Sequence, residues 1–453
     1  MSQHYRLTAI LAVILFGIGS YVYFVDVPAS EQAIHVKKEE QKLVPFDDRV
    51  LTHVALKTPH EHLVFDRDER GRWVITTPLT APADSREVRK VLRALTLAKV
   101  ERVIQEDATD LAQYGLGPAR MTVTLSNGTQ TISLDLGNPG PFSSSLYVRH
   151  GQEKRVLLTT LNVLTFAKKT LHTYRLKDVL FFNHAKVEHL ELLSPNQHIE
   201  LDRAPGVHGV SPNWRFLKPL EGPADKTTVG ILLMALEDLQ AEDFVDSEQD
   251  KVTLLSKLGK PTASATIKTP RNTHAISFYQ HKDMTYAQTT ANKPLYLINS
   301  QIVKEVTKGL FGLRDKRLLG IPTDELTIVR IQTPRETYSL INQNNVWVLE
   351  EDPGTPIAQK TAQLLVSRLA DLPAEHRVTE DEKPLSPYGL DSPALTITAV
   401  DQRGQERGRL LVGKADRGLA SSIGAGLPGI YKVRSTILTQ IPTMQQLIDD
   451  VDE

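Results

Sequence analysis

Residues 72–84 read RWVITTPLTAPAD, residues 213–225 NWRFLKPLEGPAD, and residues 346–358 VWVLEEDPGTPIA. Each places a tryptophan at the head of a short apolar run and a proline nine residues later, at Pro82, Pro223 and Pro356. The tryptophans, Trp73, Trp214 and Trp347, are spaced by 141 and 133 residues, and they are the only three in the chain. Counting from each without a gap, positions +15, +18, +19 and +22 are Val88, Val91, Leu92 and Leu95; Val229, Leu232, Leu233 and Leu236; and Ala362, Leu365, Val366 and Leu369. That is the i, i+3, i+4, i+7 spacing of one apolar helical stripe. Asp84 and Asp225 stand at the N-cap position, and Glu87 adds a capping-box pattern to the first copy; the third copy has Ala358 instead.

The repeat extends on both sides. Upstream, VALKTPHEHLVFDR (54–67), LELLSPNQHIELDR (190–203) and VRIQTPRETYSLIN (329–342) each give two alternating runs around a Thr-Pro or Ser-Pro break, the pattern of a hairpin. Downstream, LAQYGLGPARMTVTL (111–125) is echoed by LSPYGLDSPALTITA (385–399) and, in degenerate form, by LLSKLGKPTASATI (254–267). These read as turns feeding another strand. SLDLGN (133–138) and RLLVGK (409–414) follow as strand and loop, and YRLKDVLFF (174–182) and FGLRDKRLLG (311–320) close the first two copies. The expected fold class is α+β: three tandem repeats of a mainly antiparallel β unit with one central amphipathic helix each, after one N-terminal transmembrane helix.

The bulk composition sets the remaining bounds. The 453 residues exceed one ordinary domain, and 40% hydrophobic with 24% charged residues fits a folded chain. A net charge of −1 gives no basic footprint for nucleic acid. With no cysteine, disulfides, thiolate metal sites and thiol catalysis are excluded. Residues 7–25, LTAILAVILFGIGSYVYFV, carry no charge, and as a helix they would span roughly 30 Å, one hydrocarbon core. The run exceeds a signal-peptide h-region, so an uncleaved anchor is preferred to cleavage after Ala29. Arg6 before it and Asp26 after it orient the N-terminus to the cytoplasm. The resulting division is 1–6 cytoplasmic, 7–25 transmembrane, 26–48 linker, and repeat domains 49–183, 184–322 and 323–453, in a single-pass inner-membrane protein whose bulk is periplasmic.

The series of Trp, Pro, helix, YGL, LG and YV resembles the bacterial Domain of Unknown Function 4340 family. YGLGP and YGLDSP carry the match in copies one and three, while SKLGKP in copy two lacks the tyrosine. The resemblance implies a membrane-anchored protein encoded beside ABC-type transporter subunits like those of the gliding-motility auxiliary system. That family has no assigned catalytic residues to carry over.

Candidate sites in the sequence are weak. Residues 408–415, GRLLVGKA, match the start of a P-loop, but Ala415 replaces the Mg²⁺-binding hydroxyl and Leu-Leu-Val reads as strand. His53, His60 and His62 lack a metal-binding helix motif. Asp107/Asp110, Glu242/Asp243 and Asp381/Glu382 read as solvated loops rather than an acid–base pair. Residues 137–145 and 413–429, rich in Gly and Ser, read as long connections. The tryptophans could line a groove, though core packing suits their place better. No catalytic, cofactor-binding or metal residue is assigned, and no cofactor is expected. The expected function is a non-enzymatic, membrane-anchored envelope adaptor or scaffold partnered by ABC-type transporter subunits. The competing expectation is an extracytoplasmic binding module for cell-wall glycan, lipid or peptide; an envelope hydrolase is third.

Overall fold

A computed structural model describes residues 15–16, 23, 41–142, 144–160, 166, 168–204, 213–289, 293–401, 403 and 405–450. The chain divides into two compact units, residues 1–177 and 178–453. The first holds one large sheet and the second holds two.

The first sheet has nine strands: β1 (His53–Lys57), β2 (His62–Arg67), β3 (Trp73–Thr77), β4 (Ala81–Pro82), β5 (Val100–Gln105), β6 (Met121–Ser126), β7 (Thr131–Pro139), β8 (Ser145–His150) and β9 (Val156–Thr160). Their order is β4-β3-β2-β1-β6-β7-β8-β9-β5, and every pairing is antiparallel. Alternation decides which side chains go inward. Val54 and Leu56, Leu63 and Phe65, and Trp73 and Ile75 are buried on successive strands. Helix α1 (Ser85–Leu97) leads from β4 at one edge to β5 at the other, burying Val88, Val91, Leu92 and Leu95 in the same core.

The second sheet repeats this order with β10 (His189–Ser194), β11 (Gln197–Ala204), β12 (Asn213–Lys218), β13 (Gly222–Pro223), β14 (Ala241–Val245), β15 (Ala263–Lys268), β16 (Thr273–His281), β17 (Met284–Gln288) and β18 (Leu295–Ile298). The third has eight strands in the order β21-β20-β19-β23-β24-β25-β26-β22: β19 (Ile328–Gln332), β20 (Thr337–Gln343), β21 (Val346–Leu349), β22 (His376–Thr379), β23 (Leu395–Val400), β24 (Glu406–Asp416), β25 (Leu419–Gly424) and β26 (Leu427–Arg434). It lacks the short edge strand that Ala81–Pro82 and Gly222–Pro223 supply. Helices α2 (Lys226–Glu237) and α3 (Gln359–Ala370) bury the corresponding stripes.

Several expectations are corrected. The class is not α+β: strands paired into three large antiparallel sheets dominate, and helices are few. Nor is a strictly amphipathic helix repeated, since Ile231 and Met234 on α2 and Leu364 on α3 are exposed. No helix among the described residues is long and apolar enough to cross a membrane. The predicted span 7–25 lies outside the described residues apart from Leu15, Phe16 and Tyr23, so the anchor and the single-pass inner-membrane location are not retained. The end of the assigned linker belongs to the first core: Leu43, Val44 and Phe46 are buried there, and the Leu43 N–H donates to Ala98 O at 3.0 Å.

Residues 413–429 are not a loose connection but the end of β24, all of β25 and the start of β26. Their small side chains have a packing cause. A Cβ on Gly424 would lie 2.2 Å from Leu318 O, and one on Gly426 2.4 Å from Gly320 Cα. The segment joining the second and third sheets therefore runs directly across this backbone. That segment is pinned at a fixed point: the Leu318 N–H donates to Leu372 O at 3.0 Å, just beyond α3. The Val179 N–H donates to Leu239 O at 3.0 Å in the same way, just beyond α2.

Candidate functional site

The strand-to-helix joint is built alike in each repeat. The N-cap N–H of Asp84 donates to Tyr174 O (2.7 Å), that of Asp225 to Leu313 O (2.8 Å), and that of Ala358 to Leu447 O (2.8 Å). A short helix at the end of each repeat thus holds the start of its long one; in the third, residues Met444–Asp449 fill the place although the tail sequence differs. Asp84 Oδ1 accepts from the Arg86 N–H at 2.8 Å, and Asp225 Oδ1 from the Thr228 N–H at 2.5 Å. Glu87 does not complete a capping box. Its carboxylate takes the ammonium groups of Lys90 (2.5 Å) and Lys169 (2.6 Å), whose hydrogen bonds hold it below the usual glutamate range.

Trp73 O and Trp214 O accept from the N–H groups of Ala83 (3.1 Å) and Ala224 (2.9 Å). In the third repeat a side chain does this work: Gln359 Nε2 donates to Trp347 O at 2.7 Å and its Oε1 accepts from Trp347 N–H at 3.0 Å. All three tryptophans are buried, at 3%, 5% and 4% exposure, so an aromatic binding groove built on them is excluded.

The YGL and LG motifs meet. Gly115 and Gly389, at φ of 66° each, end short turns after Tyr114 and Tyr388. The LG glycines lie beneath those turns: a Cβ on Gly137 would be 2.2 Å from Tyr114 O, and one on Gly413 3.1 Å from Tyr388 O. The second repeat replaces the turn with a helix, Glu248–Leu258.

The sequence candidates disperse. Gly408–Ala415 lies within β24 and forms no phosphate loop. His53 Nδ1 is 2.7 Å from Asp66 Oδ1, while His60 sits in the following turn and His62 opens β2. No group of three or more metal-binding side chains occurs among the described residues. Asp107 pairs with Lys154 at 3.2 Å, and Asp110 accepts from the Ala112 N–H at 2.9 Å. Glu242 and Asp243 are exposed on β14, and Asp381 and Glu382 are exposed. In 137–145, the Ser145 hydroxyl donates to Phe142 O at 2.7 Å.

One cleft was not foreseen. It has a volume of about 570 Å³ and lies at the N-terminus of α2, lined by Asp225, Lys226 and Thr227 together with Arg314, Lys316 and Arg317. Asp371 and Pro373 also line it. Arg314 bridges to Ala224 as Arg175 bridges to Ala83. Arg317 grips Asp315 through Nη2 (2.7 Å) and Nε (3.1 Å), and that carboxylate raises the guanidinium pKa.

Three large antiparallel sheets with matching joints define a mainly-β repeat protein. The family model described as "Domain of unknown function (DUF4340)" matches residues 73–257 and 347–446, more than half of the chain, and the chain belongs to that family. Both matched segments open on a joint tryptophan. No curated protein matches the chain. Among solved structures, a DNA polymerase sliding clamp of Pseudomonas aeruginosa aligns at 7% identity and TM-score 0.15, covering 88% of this chain and 94% of that one. The DNA polymerase III subunit beta of the same organism aligns at 8% and 0.14, with the same coverage. Likeness at that level carries no argument.

Proposed function

We propose that the chain is a non-enzymatic adaptor or scaffold whose partner is an ABC-type transport system. The observation that supports this is a set of exposed apolar side chains on two of the three repeat helices. Ile231 and Met234 on α2 are 52% and 47% exposed, and Leu364 on α3 is 48% exposed. Ile231 and Leu364 both lie 17 residues after their tryptophans, so the second unit presents an apolar side chain at the same position of two helices. On this reading these side chains are points of contact with the partner, and paired weak contacts gain strength by avidity. The class of partner comes from the family resemblance. Co-purification with candidate transporter ATPase and permease subunits from detergent extracts tests the reading. The subunits should be recovered with the native chain and lost with the Ile231→Glu/Leu364→Glu double variant. Recovery of the folded native chain without them refutes it.

A further inference from the structure

The cleft at the start of α2 holds a group that the fold itself leaves unanswered. Arg314 is only 9% exposed, and its Nε has no hydrogen-bond partner among the described residues. No ion pair to Arg314 is present among them either. A guanidinium so deeply buried is costly unless its donors and charge are met. The first residues of a 12-residue helix line the same cleft. The cap carboxylate of Asp225 takes the Thr228 N–H, which leaves those of Lys226 and Thr227 without partners inside the helix.

The acids nearby do not fill the need. Asp315 is committed to Arg317, and Asp225 to the helix. That leaves Lys226, Arg314 and Lys316 against Asp225 and Asp371, a balance of one positive charge. Lys316 Nζ also lies 4.9 Å from the centre of the Phe311 ring.

We infer that this cleft is a binding site for a small oxyanion, carboxylate or phosphate, held by Arg314, Lys226 and the free N–H groups at the start of α2. Nε itself is sealed from solvent, so the contact is through the two Nη groups, which match either anion in a bidentate fashion, and the helix N-terminus favours negative charge. The site requires no protein partner and stands apart from the adaptor reading.

The test is titration of the full chain with sodium phosphate and, separately, sodium acetate, at constant ionic strength set by chloride. Calorimetry and the fluorescence of Trp214, which lines the cleft, supply the readouts. Saturable binding of at least one anion is expected, weakened about tenfold or more by Arg314→Gln, as loss of a charge-assisted bidentate contact implies. The tighter of the two anions identifies the ligand class. Because Arg314 is buried, Lys226→Gln gives a second measure: its side chain is exposed, so the variant should fold as the native chain does and still bind more weakly. No saturable binding of either anion, or binding that a folded Lys226→Gln variant leaves unchanged, overturns the assignment.

Discussion

Replacing Gly137 by alanine should unfold the first sheet far more readily than the matching change, Gly413→Ala, unfolds the third. At Gly137 the new Cβ would stand 2.2 Å from Tyr114 O and 3.0 and 3.1 Å from Leu116 side-chain carbons. The carbonyl cannot swing away, because Gly115 holds a left-handed φ of 66° and the Leu116 N–H is tied to Leu111 O at 3.0 Å. At Gly413 the nearest atoms are Tyr388 O at 3.1 Å, Gly389 O at 3.3 Å and Ser421 O at 3.5 Å, so a shift of a few tenths of an ångström suffices. Overpacking costs range over about 1–3 kcal/mol, which places Gly137→Ala near ~3 and Gly413→Ala near ~1 kcal/mol. A chain of several units does not unfold in one two-state step, but each sheet carries a single buried tryptophan. With two of the three changed to phenylalanine, urea unfolding followed by fluorescence reports one sheet at a time. For a slope of about 2 kcal/mol/M the midpoints should fall by about 1.5 M and about 0.5 M. Equal shifts, a larger shift for Gly413→Ala, or an unchanged midpoint for Gly137→Ala would refute the claim that the YGL turn and the LG glycine are locked together.

Four further outcomes follow from the cores and joints. Tyr174→Phe should stabilise the first sheet by about 1 kcal/mol, because it removes a buried hydroxyl that has no partner among the described residues. Tyr338→Phe should cost about 1 kcal/mol, since it deletes the hydroxyl that donates to Pro442 O at 2.7 Å; thermal melts of the two variants should move in opposite directions. Leu236→Ala, at a fully buried stripe position, should cost about 2–5 kcal/mol in the Trp214-reported transition. Glu87 has a lowered pKa, so its contribution is complete above the ordinary glutamate value of 4.5 and is lost as pH falls through the folded value. Glu87→Gln should therefore weaken the first sheet at neutral pH and flatten its stability profile below about pH 4.5, as read by urea midpoints across pH.

The helical stripes and hairpins are legible in the sequence because their periods are local: Val88 to Leu95 mark one face, and Leu63 and Phe65 alternate within a single strand. The class is not, because it depends on pairing across distance. β1 bonds to β6, with His53 opposite Ser126, and only such pairings show that the scattered short runs belong to one sheet. β25 is hidden for another reason. Its Gly424 must be small to admit the Leu318 backbone, and Ala420, Ser421 and Ser422 are buried without large apolar side chains, which leaves no apolar alternation to read. The helix Glu248–Leu258 is obscured because it replaces the turn that the other two copies share. The oxyanion cleft has a faint signal after all. Arg175 and Arg314 hold the same place at the end of the short helix in the first two tails, each followed by further charged residues (Lys177 and Asp178; Asp315, Lys316 and Arg317), and both arginines are buried.

The paired bonds Val179 N–H to Leu239 O and Leu318 N–H to Leu372 O make the repeat a unit of count. Each sheet is entered through the same contact, formed with residues just past its own helix. Removing residues 179–317 would join Asp178 to Leu318, which brings its own partner, Leu372, with it. A deletion of one whole sheet therefore leaves intact the bond through which the next sheet is entered.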